Sequence, residues 1–167
     1  MVFRRFRPFR AENDRKPRAF LQMPRMLMVD EMNEPGAYER QEAAACSHIA
    51  NSIWVASTWR GLTVAAAVAE VRGDIALSES SADQSARQVK HFTEYAALSR
   101  ERAVRPGEHP DDIARHLREA QGHDDRRADW EVQAAYWHAT AAGKKRGLHA
   151  WERAHKKAWA EAIMACK

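Results

Sequence analysis

The sequence contains few of the residues and motifs on which a catalytic or disulfide-stabilised domain depends. Its 167 residues include two cysteines, Cys46 and Cys166, far apart and outside any CxxC pair. This spacing leaves a single disulfide bond open, but a reducing cytoplasmic compartment is the simpler interpretation. The GxSxG, GxGxxG, HExxH and P-loop motifs are all missing. We therefore expect a protein that is not an enzyme and that uses no metal or cofactor.

Strand patterns and long apolar runs are also missing. No segment alternates apolar and polar residues with β-branched enrichment. The most apolar stretch, residues 49–71, contains Asn51, Arg60 and Glu70, whereas a transmembrane helix needs about 20 mainly apolar residues. Pro24 and Arg25 interrupt the only candidate for a secretory signal. These features predict an all-α protein without a transmembrane span, located in the cytoplasm.

Proline and charge set the amino end apart from the rest. Pro8, Pro17, Pro24 and Pro35 recur too closely for a long helix to pass through them. Residues 1–25 hold eight basic and two acidic side chains, a net charge of +6, so residues 26–167 have a net charge of −2 in a chain of +4. We therefore divide the chain into an irregular basic arm, residues 1–35, and a helical bundle domain, residues 36–167.

The first ten residues, MVFRRFRPFR, place a phenylalanine at every third position with arginines between. In a polyproline II conformation, which has three residues per turn, the three rings would align on one side. Such a strip can neutralise phosphates while its rings stack on exposed bases. The predicted nucleic-acid-binding residues are Phe3, Arg4, Arg5, Phe6, Arg7, Phe9, Arg10, Arg15, Lys16 and Arg18. An acidic groove on a partner protein, an anionic membrane surface and a solubilising tail are the alternatives.

The domain itself is predicted to be a bundle of about four helices. Breaks at Pro35–Gly36, Gly73–Asp74 and Arg105–Pro106–Gly107 bound helices at about 37–72 and 80–104. A third helix begins at Pro110, with Gly122 as a kink or split, and a basic turn over 143–147 precedes a last helix at about 148–165. We expect the large indoles of Trp54, Trp137 and Trp151 to anchor the core.

Two side-chain patterns on these helices permit a functional interpretation and a structural one. Asp112, His116, Glu119 and His123 are spaced to share a helix face and could hold a divalent metal, but an exposed polar stripe explains them equally, and we predict no metal. Trp151, His155 and Trp159 also share a face. We interpret this second group as core or as a helix–helix interface rather than as a ligand pocket.

The sequence thus favours a non-enzymatic binding protein. The arm is expected to contact DNA or RNA while the bundle provides a scaffold for protein contacts. One alternative is an adaptor subunit of a larger assembly or oligomer, with the arm threaded into an acidic partner. The other is an accessory protein at a membrane surface. Salt sensitivity separates the nucleic-acid function from the adaptor function, because binding to phosphates weakens with salt more than binding through phenylalanines does.

Overall fold

The structure, a computed structural model, describes residues 25–165, and side chains as far as Lys157. A short 3-10 helix, Val29–Asn33, precedes α1 (Ala37–Thr58), α2 (Val64–Ala103) and α3 (Pro110–Ala165). At 1.5 Å per residue the three α-helices are about 33, 60 and 84 Å long. No strand occurs in the described residues, so the predicted all-α class is confirmed for that part of the chain. The described residues form three α-helices rather than the predicted bundle of about four.

The first difference from the prediction is a break inside the segment expected to form one helix over 37–72. Helix α1 ends at Thr58, and Gly61 has a φ of 65°, a left-handed conformation that glycine adopts without steric cost. Thr63 then caps α2, its hydroxyl accepting a hydrogen bond from the Ala66 amide at 3.2 Å. The glycine and threonine together turn the chain, whereas Gly73, where a break was predicted, lies within α2.

The second difference is that α3 continues through Gly122 and through residues 143–147. Gly122 is half-buried, and a Cβ at this position would meet nothing within 4 Å, so the glycine is accommodated within the helix without a break. At Gly143 and Gly147 the neighbouring helix α1 is so close that a Cβ would overlap backbone carbonyl oxygens, those of Glu42 and Cys46. These two glycines therefore permit close helix packing and do not form a turn.

Helices α2 and α3 form an antiparallel hairpin joined by residues 104–109. Arg72 pairs with Glu152 near one end, at 2.9 Å, and Arg100 pairs with Asp124 toward the other. Buried and half-buried positions alternate at spacings of three and four on both helices, the pattern of a coiled coil. On α2 they are Val71, Ile75, Ser78, Ala82, Ser85, Val89, Phe92, Ala96, Ser99 and Ala103. On α3 they are Ile113, His116, Ala120, His123, Arg127, Trp130, Ala134, Trp137, Ala141, Lys144, Leu148 and Trp151.

Helix α1 covers only one end of this hairpin. It packs on the stretch of α3 around Thr140, Gly143 and Gly147. The main apolar cluster lies where all three helices meet, and its buried members are Ile49, Ile53, Ala56, Ala67, Val71, Ile75 and Leu148. Beyond the amino end of α1, the hairpin continues as a two-helix projection that carries the 104–109 loop at its tip. The molecule is therefore a three-helix body with a two-helix extension.

Aliphatic side chains and alanine, rather than tryptophan, fill the core. Trp54, expected to be buried, is 38% exposed, and Trp59 at the end of α1 is 75% exposed. Trp137 and Trp151 are half-buried, and Trp151 packs against the main apolar cluster. The fully buried positions are instead mostly alanine, with a few isoleucine, valine and leucine side chains. Among the described helices, none is long and apolar enough to cross a membrane.

Candidate nucleic-acid interface

The ten residues predicted to bind nucleic acid, Phe3 to Arg18, lie outside the described residues. The structure does describe the segment that follows them. The Leu27 amide donates to Gln41 Oε1 at 2.7 Å, and Gln41 Nε2 donates to Thr140 Oγ1 at 2.8 Å. Gln41 is fully buried between α1 and α3. The chain is therefore fixed to the three-helix body at Leu27, nine residues after Arg18, the last of the predicted contact residues.

Glu31 stabilises the same segment through contacts within the segment itself. Its carboxylate accepts from the Met28 amide at 2.8 Å and pairs with Arg25. The amide hydrogen bond, and after it the Arg25 guanidinium, hold the pKa of Glu31 below its usual value. Residues 25–33 thus form a small capped unit at the end of the arm.

A basic groove lies on the two-helix extension, about 27 Å along α3 from Thr140. It has a volume of about 380 Å³, and its lining residues are Arg115, Arg118, Glu119, Gly122, His123 and Arg126. Their spacing places them along one stripe of α3. Because Gly122 has no side chain and nothing lies near its Cβ position, the middle of the stripe is recessed. The groove is a local concentration of arginine on a body whose net charge is slightly negative.

Aromatic rings from α2 contact two of the residues that line this groove, His123 and Arg126. The ring of His123 stacks on Phe92, with centroids 6.0 Å apart, and on Tyr95, with centroids 5.4 Å apart. His91 meets Tyr95 edge-on at 4.3 Å. Arg126 Cζ lies 5.9 Å from the centre of the Phe92 ring, within the range of a cation–π contact. Tyr95 is 44% exposed, so part of its ring is available to a ligand.

The three arginines of the groove differ in whether they already form ion pairs with acidic side chains. Arg115 bonds to Asp112 at 2.9 Å and lies 3.9 Å from Glu119. Arg118 makes no hydrogen bond or ion pair with the described residues, and Arg126 makes only its ring contact. His123 Nδ1 is buried and has no described hydrogen-bond partner. The guanidinium groups of Arg118 and Arg126 can therefore donate hydrogen bonds to phosphate oxygens without first losing an ion pair to the described residues.

The four residues considered as metal ligands take part in other contacts. His116 Nδ1 lies 3.2 Å from Glu119 Oε2, and His123 is held between the two α2 rings. Within residues 25–165 no three histidine, cysteine or acidic side chains are grouped as a metal would require. All four residues lie on one continuous helix, α3. The arginines between them, which were not among the predicted site residues, give this stripe its positive charge.

The tryptophan and histidine pattern at the end of α3 is only partly described. Trp151 and His155 stack with centroids 4.9 Å apart and an interplanar angle of 11°. Trp151 belongs to the core margin, as predicted, and His155 is exposed. The side chain of Trp159 lies outside the described residues.

Comparison of the chain with protein-family models, with curated proteins and with solved structures finds no match.

Proposed function

We propose that this chain is a non-enzymatic nucleic-acid-binding protein in which the arm and the groove on α3 contact the same phosphate backbone. The observation that carries the proposal is the pair of uncompensated arginines, Arg118 and Arg126, beside the exposed ring of Tyr95. Guanidinium groups bind phosphates, and adjacent rings can stack on unpaired bases. The basic arm supplies the same two kinds of side chain.

The distances between the two regions are compatible with a shared ligand. The Gln41 anchor fixes the end of the arm to the body about 27 Å from the groove. The 24 residues before Arg25 can span up to about 80 Å when extended. A single strand of modest length can therefore reach both regions, with the helices as a rigid scaffold between them.

The test measures affinity against salt for the full chain with a fluorescent 20-nucleotide single strand. If Arg118 and Arg126 each contact a phosphate, replacing both with glutamine should lower the slope of log affinity against log salt by about 1.4, at ~0.7 per phosphate for a single strand. Arg87→Gln with Arg153→Gln is the control, since both side chains are exposed and unpaired among the described residues. Equal slopes for the two double variants would remove the groove from the proposal.

An adaptor function is the second candidate, and a specific observation favours it. The two-helix extension projects beyond α1, and Trp59 is 75% exposed at the opposite, carboxyl end of α1. Exposed tryptophans are common at protein interfaces. If replacing the arginines of the arm leaves binding to every nucleic acid unchanged and instead releases the chain from a protein complex, the adaptor function replaces the nucleic-acid function.

A further inference from the structure

A second cleft, separate from the arginine groove, is built from all three α-helices. It has a volume of about 560 Å³, within the range of small-molecule sites. Its lining residues are Tyr38 from α1, Glu79, Ala82 and Asp83 from α2, and His138, Ala141, Ala142 and Lys145 from α3. The proposed nucleic-acid function uses none of these side chains.

The floor of the cleft consists of alanines. Ala82 and Ala141 are 1% and 5% exposed, and Ala142 lies beside them. Because these side chains end at Cβ, they leave open a volume that leucine or methionine would fill. The polar side chains stand around this floor. Small apolar residues beneath a ring of polar groups are what a site for a small ligand requires.

The charged side chains of the cleft favour ligands of one charge over the other. Glu79 and Lys145 form an ion pair across the α2–α3 boundary and cancel each other. Asp83, His138 and Tyr38 make no hydrogen bond or ion pair with the described residues. Asp83 is therefore the one carboxylate of the lining that has no ion pair among the described residues. The Asp83 carboxylate would repel an anionic ligand and attract a cationic one.

We propose that this cleft binds a small organic cation, an ammonium or guanidinium group. Asp83 accepts its N–H hydrogen bonds, and the Tyr38 ring provides a cation–π face. Tyr38 is 39% exposed, so its ring is open to the cleft. The alanine floor receives the alkyl part of the ligand. The cation comes either from a free amine or guanidine, or from an arginine of residues 1–24 of the same chain.

The experiment is an NMR titration of the ¹⁵N-labelled full chain with ethylguanidinium and butylammonium chloride, and with sodium butyrate as the matched anion. We expect the cations to shift the amide signals of Tyr38, Asp83 and His138, and butyrate to leave them unchanged. Asp83→Asn should weaken cation binding about tenfold or more, because a charge-assisted bond is lost. Tyr38→Phe should retain binding, and Tyr38→Ala should weaken it several-fold.

Two controls make the outcome decisive. Asp74→Asn removes an exposed acidic side chain nine positions earlier on α2 and should leave binding unchanged. A full chain with Arg4, Arg5, Arg7 and Arg10 all replaced by glutamine distinguishes the sources. Binding in the unmodified chain indicates a free cation, and binding only in this variant indicates that an arginine of the arm occupies the cleft. No binding in either chain, or equal loss in the Asp74 and Asp83 variants, would overturn the proposal.

Discussion

Gly143 on α3 lies directly against the backbone of Glu42 on α1. A Cβ at Gly143 would overlap the Glu42 carbonyl oxygen and would lie 2.8 Å from the Ala45 Cβ. One turn later, a Cβ at Gly147 would lie 2.9 Å from Ile49 Cγ1. Two glycines four residues apart on one face thus set the distance between the two helices, as small residues do wherever helix backbones approach closely.

Replacing Gly143 with alanine should therefore destabilise the fold. The atom it meets is backbone, which cannot rotate away, so the helices must separate at a cost of about 1–3 kcal/mol. Gly122→Ala is the matched control: it lies in the same helix with open space at its Cβ, and alanine should stabilise it by about 1 kcal/mol. Urea denaturation followed by circular dichroism measures both. A stabilising Gly143→Ala would mean that α1 does not pack as described.

Gln41 should be needed to hold residues 25–33 on the body. Its side chain joins the Leu27 amide to the Thr140 hydroxyl without access to water. Gln41→Ala leaves a partly buried amide without an acceptor and should cost about 1–3 kcal/mol. Hydrogen exchange of the Leu27 amide should accelerate by more than the change in global stability predicts. Gln84→Ala, at an exposed position on α2, provides the comparison, and similar exchange in both variants would contradict the role of Gln41.

Glu31 should make the stability of the same segment depend on pH. Its folded-state pKa is lowered from 4.5, so the ionised carboxylate stabilises the fold above that pH. The contribution is lost as the pH falls through the lowered pKa. The unfolding free energies of the parent protein and of Glu31→Gln should therefore differ at pH 7 and converge in acid. Asp30→Asn, an adjacent exposed charge, controls for net charge. A difference independent of pH would exclude the carboxylate as the cause.

The phenylalanines and the arginines of the arm should have separable effects. Replacing Phe3, Phe6 and Phe9 with alanine should leave the salt dependence nearly unchanged, because no phosphate contact is lost. Affinity for a single strand should fall by about 1–3 kcal/mol per stacked base, and affinity for duplex should fall less. Replacing the four arginines of residues 1–10 with glutamine should instead flatten the salt dependence. Equal losses for single strand and duplex would show that the rings do not stack.

Several helix boundaries could be predicted from sequence because local chemistry determines them. Pro35–Gly36 and Pro110 mark starts that the structure confirms at Ala37 and Pro110, and Pro106–Gly107 marks the turn of the hairpin. The boundary at Gly61 was missed although Thr63 offered a cap three residues before Ala66. The breaks predicted at Gly73 and Gly143–Gly147 were wrong, because both segments lie within continuous helices. The sequence alone does not distinguish a glycine that ends a helix from a glycine that lies inside one.

The candidate sites, like the helix boundaries, depend partly on local sequence and partly on how the helices pack. Sequence periodicity placed Asp112, His116, Glu119 and His123 on one helix, but the basic character of that stripe depends on which arginines lack partners. Arg118 and Arg126 form no ion pair with the residues that the structure describes, whereas Arg115 pairs with Asp112. The cleft around Asp83 brings together residues from positions 38 to 145. No spacing in the sequence indicates such a site, because its members belong to three separate helices.

Three properties follow from the amino-acid sequence alone: the helical class, the charge difference between arm and body, and the helix starts that proline imposes. These depend on a residue and its near neighbours, through backbone restriction and helix periodicity. Three others require the packed helices: the long hairpin of α2 and α3, the alanines and glycines at the closest helix contacts, and the positions of charges without an ion pair among the described residues. These depend on the distance between helices, which is fixed by contacts such as that of Gly143 with Glu42.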